Sequence, residues 1–557
     1  MIFPAWFTVW LSLGVATAAD SNPFIDVLST ELDRVERTLS QQDEPPHWIA
    51  IGVIDSERWY IEGANGATTE PKHRRYRSAD LDMRVGSAEL DSTHKIRDAG
   101  WFDTDEKNAF ALPVHDDEQA TRLAIWRAAD DAYRAARKRL IRVRTNQAVK
   151  VQSEDDSADF SAAQPRQSEP PVPAFSLDAE AWQDSVRSAS KRLANLAHIE
   201  DSHISLSAER LIRTIVTTEG TRLSIPSLSY RLTVWARTTA DDGMNLAVSE
   251  AFDAHTESSL PNQAEIDAAV DHMASKLLAL REAPVVEPTT APAILEGRAA
   301  AVFFHEVLGH RVEGHRQKDD DEGQTFTDKV GETVLPSFIS VHDDPTISRV
   351  SGIDLNGHYT YDDEGVEAQR VGIVENGVLR SFLTSRSPIK GFASSNGHGR
   401  RQLGHAVVAR QGNLLVSAKR TVSRERLRQK LLEEIRDHDS DHGFIFEDIT
   451  GGFTFTGRVT PNAFAVQPVT VYRVWQDGRP DELIRGVDLI GTPLTTFQQI
   501  IAASNTQSVF NGSCGAESGW VPVSAVAPDL LIREVEVQRS EKAHDRPPLL
   551  PAPTVTP

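Results

Sequence analysis

Cysteine is almost missing from this chain: Cys514 is the single one among 557 residues. No intrachain disulfide can form, so packing must hold the fold. Positive charge is also short, with 59 Lys and Arg against 81 Asp and Glu and a net charge of −22. That balance argues against nucleic acid as a partner, since phosphate binding needs a basic footprint. Its ordinary meaning is solubility. Beyond the N-terminal stretch, no apolar run is long enough to cross a bilayer. A nucleotide loop is missing too. Asn396-Gly397-His398-Gly399-Arg400-Arg401 is glycine-rich, but no Walker Lys-Ser pair follows it.

What remains is a globular composition, 39% hydrophobic and 25% charged, in a chain too long for one ordinary core. The first residues have an apolar centre and end in Ala16-Thr17-Ala18, small residues of the kind a signal peptidase cuts after. Residues 1–19 are therefore expected to be a signal peptide, without the usual positive start. The protein would be exported, periplasmic or secreted, with no stable membrane span after removal. An oxidising destination also explains the avoidance of spare cysteines.

The expected fold class is α+β. Phe24, Val27, Leu28, Leu32, Val35 and Leu39 predict a helix, and Trp48–Ile54 and Arg75–Val85 predict strands. Around 117–144, Trp126, Tyr133 and Leu140 recur every seven residues, with Leu123, Ala129, Ala136 and Val143 on the same stripe, which predicts a buried helix face. The polar, proline-bearing segment 151–175 reads as a mobile loop. A helix with Trp182, Val186, Leu193 and Leu196 on one face follows. Strands then flank Glu219-Gly220, and Ile266, Val270, Met273, Leu277 and Leu280 mark another helix. Glu375-Asn376-Gly377-Val378 carries a tight hairpin signal, and a helix is expected near 422–437. The expected division is an N-terminal α/β domain over 20–115, a middle domain over 116–282, a β-rich C-terminal catalytic domain over 283–539, and a disordered tail over 540–557.

The chemistry concentrates in His305-Glu306-Val307-Leu308-Gly309-His310, on an expected helix from about 294 to 315. Two imidazoles, a neighbouring carboxylate and one distant thiol are the components of a catalytic zinc site with an open position. Zinc peptidases commonly place their histidines four apart on one helix face. Five steps at ~100° leave them ~140° apart, so a local irregularity is expected near Gly309, a π-type bulge eased by that glycine or a break in the helix. The duller readings are a Glu306–His310 surface pair and a hydrogen-bonded core histidine. His315, His342, His358, His398, His405 and Glu313 compete as third ligand.

The run from His305 to His310, continuing to Glu313-Gly314, resembles the zinc motif of the TldD/PmbA metallopeptidases. So do Gly331-Glu332, Asp362-Asp363-Glu364-Gly365, Glu375–Leu379, Asn396–Arg401, Ile490-Gly491, Ser513-Cys514-Gly515 and Val521-Pro522-Val523, in order across about 290–537. The resemblance implies His305, His310 and Cys514 as Zn2+ ligands and Glu306 as catalytic base. It further implies hydrolysis of small or unfolded peptides by a homodimer, or by a heterodimer with a related subunit. Asn396, Gly397 and Arg400 are candidates for substrate binding, because that run suggests a close backbone approach near the site. Two alternatives stand beside this reading: a non-catalytic, channel-forming partner subunit, and a peptide-binding module stabilised by metal. The family members in view are cytoplasmic, and the stretch 460–474 departs from their pattern.

Overall fold

The structure is a computed structural model describing residues 23–96, 108–149, 155–194, 196–319, 322, 325–454 and 464–540. The expected signal peptide and most of the tail lie outside the described residues. Among those described, no helix is long and apolar enough to cross a membrane.

The N-terminal half is built on one antiparallel sheet. Its neighbours in order are Lys72–Val85, Pro46–Ala64, Asp201–Thr217, Arg222–Thr239 and Asn245–Ala254. The division at 115/116 is therefore corrected: the segments expected as two domains share a sheet, because Pro46–Ala64 bonds along its length to Asp201–Thr217. Helices cover one face. Pro23–Leu39 and Glu118–Val149 pack on Ile49, Ile51, Leu81 and Met83, and Ala179–Ala194 and Gln263–Glu282 on Ile61, Leu206 and Leu232. The stripe on Glu118–Val149 is also corrected. Tyr133 and Leu140 are buried, whereas Leu123 and Trp126 are more than half exposed. The buried line runs through Ile125 and Ala129, about 100° round from Trp126.

The opposite face of this sheet, which carries ion pairs beside two small apolar clusters, meets the C-terminal half. Arg401 pairs with Asp80 (Nη2–Oδ1 2.7 Å) and Arg213 with Asp363. Gly52 has no room for a side chain, since a Cβ would lie 2.9 Å from Arg401 Nη2. Residues 155–175 are also corrected from a mobile loop to a strap across this junction. Phe160 is buried between the guanidinium groups of Arg84 and Arg386, at 4.1 and 4.0 Å from its ring centre. Arg386 in turn donates to the Ser161 carbonyl and to Glu219.

In the C-terminal half, strands Gly519–Arg539, Val487–Gly491, Phe464–Trp475, His442–Thr454 and Thr289–Leu295 pair in succession, and the last pairs back to the first. The expected hairpin is present: Glu375 pairs with Val378, and Asn376 and Gly377 take φ of 52° and 83°, as such a turn requires. Directly after Thr289–Leu295 comes the motif helix, Gly297–Val307. It is buried all round, with Ala299, Ala300, Ala301, Phe303 and Phe304 at 0% exposure. Small residues let the strands close on it. A Cβ on Gly297 would sit 2.8 Å from the Ala527 carbonyl. Gly297 N–H donates to Asp529 Oδ1 at 2.7 Å, and Arg424 holds that carboxylate (Nε–Oδ2 2.7 Å).

Candidate metal centre

The motif helix does not continue to residue 315. It ends at Val307, and Gly309–Val312 forms a turn of 3-10 helix before a short helix, His315–Lys318. Arg311 N–H bonds to the Leu308 carbonyl, three residues back (2.9 Å). The irregularity expected near Gly309 is present as a break and not as a π-type bulge: the winding tightens instead of loosening, and the two histidines meet across it. Arg311 stabilises the break by donating to the Val307 carbonyl at 3.1 Å. Gly309 has a different role from the one expected. It takes no positive φ; instead, a Cβ there would lie 1.9 Å from Gln411 Oε1. The glycine makes room for Gln411, whose Nε2 donates to the His305 carbonyl at 3.3 Å.

Cys514 arrives from the hairpin of Ile500–Ala516 and Gly519–Arg539, opposite Val521. Its sulfur lies 3.3 Å from His310 Nε2. One ligand atom each from His305, His310 and Cys514 lies within 4.8 Å of the others, and all three residues are buried. Burial acts to raise the Cys514 thiol, but the two imidazoles outweigh it and hold the thiol well below its usual range. Burial likewise opposes charge on His310, yet the Cys514 sulfur and the Glu313 carboxylate raise it well above an ordinary imidazole.

Behind His310 lies a fixed polar network. Glu313, fully buried, faces His310 Nδ1 at 3.1 Å through Oε2. Arg316 donates to the same oxygen at 3.1 Å, and Arg410 lies 3.3 Å from the other oxygen. These partners offset the cost of burying the carboxylate. Arg410 also donates to the Cys514 carbonyl (2.8 Å) and to Ser518 Oγ (2.9 Å), so one guanidinium joins the histidine side of the cluster to the cysteine hairpin. A carboxylate on the far nitrogen of a ligating histidine fixes its tautomer and ring orientation. Glu313 occupies that place relative to His310 and lies outside the cluster of His305, His310 and Cys514.

The donor set fits zinc. Two imidazoles and a thiolate are borderline-soft ligands, and His305 Nδ1 is buried without a hydrogen-bond partner. Among the described residues no fourth His, Cys, Asp or Glu joins the group. Glu306 lies beside it, Oε2 being 3.8 Å from His310 Nε2.

Residues 288–539 match the family model described as the PmbA/TldA metallopeptidase C-terminal domain. A metalloprotease of Methanocaldococcus jannaschii is 30% identical over 231 residues, 41% of this chain and 47% of that protein. The zinc metalloprotease TldD homolog of Saccharolobus solfataricus is 25% identical over 253 residues, 44% of this chain and 51% of its own length. The C-terminal part of the chain is thus similar to the TldD/PmbA metallopeptidases. It spans about half the length of these curated relatives in alignment. The fold likeness extends further. TldE from Thermococcus kodakarensis superposes with a TM-score of 0.60 at 14% identity, covering 92% of this chain and all of that one. A Thermotoga maritima protein described as a candidate modulator of a DNA gyrase gives a TM-score of 0.61, again at 14% identity.

Within this domain the other flagged residues serve elsewhere. His315 pairs with Glu517 on the cysteine hairpin, and His398 faces Asp343 at 3.2 Å. Asn396 is held in a turn, accepting from Thr384 N–H (2.8 Å) and donating to the Phe382 carbonyl (2.8 Å). Gly397 takes φ +78° where a Cβ would strike the Glu367 carbonyl. Gln411, Arg410 and Arg311 escaped the sequence reading. Only the three-residue step from His310 to Glu313 carried a visible sign of this network.

Proposed function

We propose that this chain is a zinc-dependent peptidase acting on small or unfolded peptides, with His305, His310 and Cys514 as ligands and Glu306 as general base. The observation that carries the reading is a three-residue, buried N,N,S cluster without a fourth protein ligand among the described residues. A structural zinc site takes four protein ligands, whereas a catalytic one keeps a position open. Bound zinc supplies Lewis-acid polarisation of a carbonyl and brings the pKa of water to about 7.

The protein's own residues supply the rest. Glu313, through Nδ1, orients His310 so that Nε2 faces the Cys514 sulfur. Glu306 takes a proton from the attacking water and delivers it to the leaving amine as the C–N bond breaks. The near-complete burial of the cluster excludes bulk solvent, which strengthens each charge interaction inside. The family resemblance supports a dimer, formed with a second copy or with a related subunit. Metal analysis of the purified chain, together with cleavage of unstructured peptides, tests the reading. One zinc per chain, lost together with cleavage in Cys514→Ala, is the expected result. A zinc-loaded wild type that cleaves no peptide, or a cleaving enzyme without zinc, would overturn it.

A further inference from the structure

Buried arginines in this half of the molecule are generally matched to carboxylates: Arg386 to Glu219, Arg410 to Glu313, Arg401 to Asp80 and Arg485 to Asp242. Arg400 is not. It is 7% exposed, and no ion pair is made to it among the described residues. Its one hydrogen bond runs from Nη1 to the Gln411 carbonyl at 2.5 Å. The nearby carboxylates are already engaged. Asp362 accepts the backbone N–H groups of Glu364, Val366 and Gly399. Asp363 takes Arg213 and the Arg401 N–H, and Asp343 takes Gly412 N–H and Asn413 N–H. A guanidinium has five donors and keeps its charge at any ordinary pH, so most of this fork has no protein acceptor.

The fork is nevertheless held in place. Its Cζ lies 4.8 Å from the ring centre of Tyr359, whose hydroxyl donates to the Gly397 carbonyl at 2.9 Å. The glycine-rich run from Asn396 thus serves to build this support. Burial pulls the guanidinium below its ordinary pKa range, the cost expected where no anion compensates. Gln411 links the position to the metal cluster. Its carbonyl holds Arg400, its side-chain amide donates to the His305 carbonyl, and the next residue back, Arg410, holds the Cys514 carbonyl.

We propose that Arg400 receives a carboxylate of the peptide substrate, so that the enzyme prefers a C-terminal α-carboxylate or an acidic side chain near the scissile bond. This rests on the peptidase reading. A charged hydrogen bond made to a pre-set, desolvated fork is worth about 10- to 100-fold in affinity.

The test uses one unstructured quenched peptide in paired forms: free acid against C-terminal amide, and Glu against Gln at each position flanking the cleaved bond. kcat/KM is measured for the zinc-loaded full chain and for its Arg400→Met and Arg400→Lys variants. Binding of the same peptides to zinc-loaded Glu306→Gln, with and without Arg400→Met, is measured by fluorescence anisotropy. One acid-over-amide pair should show a ratio of about 10 to 100 in the wild type. That ratio should fall toward one in Arg400→Met and recover in part in Arg400→Lys. A fold disturbance would lower both members of a pair together and leave the ratio in place. The pair that responds identifies the source of the carboxylate. A wild-type ratio near one, or a ratio unchanged in Arg400→Met, overturns the assignment while the peptidase reading stands. If no form is cleaved, the peptidase reading fails, and the binding ratios alone decide Arg400 by the same criterion.

Discussion

Gly309→Ala tests the contact that sets the metal helix against its neighbour. The new Cβ would lie 1.9 Å from Gln411 Oε1, 2.2 Å from Cδ and 2.6 Å from Nε2. A side-chain end can often swing away from such an intrusion, but Gln411 is 1% exposed and its Nε2 is bonded to the His305 carbonyl. The displacement must therefore fall on the His305 backbone or on the break at Leu308. Overpacking of this kind costs about 1–3 kcal/mol. For a domain of this size that corresponds to a fall in Tm of about 2–12 °C. Gln411→Ala alone should also destabilise, by losing a hydrogen bond and opening a void. In the double variant the alanine methyl enters the vacated space, so the combined cost should undercut the sum of the single costs by at least about 1 kcal/mol. Thermal unfolding of the zinc-loaded full chain measures all three, with zinc retention followed in parallel. Gly309→Ala should also release zinc faster, because its strain is passed to His305, a proposed ligand. A Gly309→Ala protein with wild-type Tm and zinc retention, or strictly additive costs, would refute the argument.

Three further outcomes follow from the same structure. Glu313→Gln removes the carboxylate that orients His310 and leaves Arg316 and Arg410 facing a neutral amide; zinc affinity in a chelator competition should fall about 10- to 100-fold, and unchanged affinity would count against a positioning role. Phe160→Ala removes the ring between Arg84 and Arg386 and should cost about 3–5 kcal/mol, with cleavage in limited proteolysis appearing first in the 155–175 strap; cleavage elsewhere first would argue against the strap. Burial acts to raise the pKa of Asp91, but His47, Arg84 and Thr93 outweigh it and bring the carboxyl from its ordinary 3.8 to about 2. Its contribution, about 2 kcal/mol, is present above pH 4 and is lost as pH falls toward 2. Acid unfolding of Asp91→Asn should accordingly be less steep over that range than wild type, and matching slopes would remove the assignment.

Local periodicity made much of the N-terminal half readable. Leu28, Leu32 and Val35 predict their helix because one face is buried against a sheet, and the alternation in 75–85 predicts its strand for the same reason. The pairing of Pro46–Ala64 with Asp201–Thr217 was not readable, since it joins segments about 150 residues apart and hairpin rules reach only neighbours. Trp126 misled because a seven-residue repeat also fits a stripe one position away from the true one, through Ile125. The motif helix carries apolar residues on every side, so no polar face marked where it stops. The members of the buried His305, His310 and Cys514 cluster were legible because a lone thiol and two clustered imidazoles are rare components. Their supports were not: Gln411 and Arg410 come from a connection between two strands and Asp529 from the strand Gly519–Arg539, all distant in sequence and without a local pattern. Arg400 was already a candidate for substrate binding through its run, but the engagement of Asp362, Asp363 and Asp343 elsewhere, on which its proposed role rests, was not legible.

The central claim is that Glu306 moves the proton while His305, His310 and Cys514 hold the metal. Turnover of an unstructured peptide by Glu306→Gln, at a measured zinc content equal to wild type, tests it most directly. The amide keeps the shape and hydrogen-bonding reach of the carboxylate but cannot accept the proton, so zinc should stay at one per chain while turnover falls by about 10²- to 10⁴-fold. Cleavage at near wild-type rate with zinc in place would contradict the account.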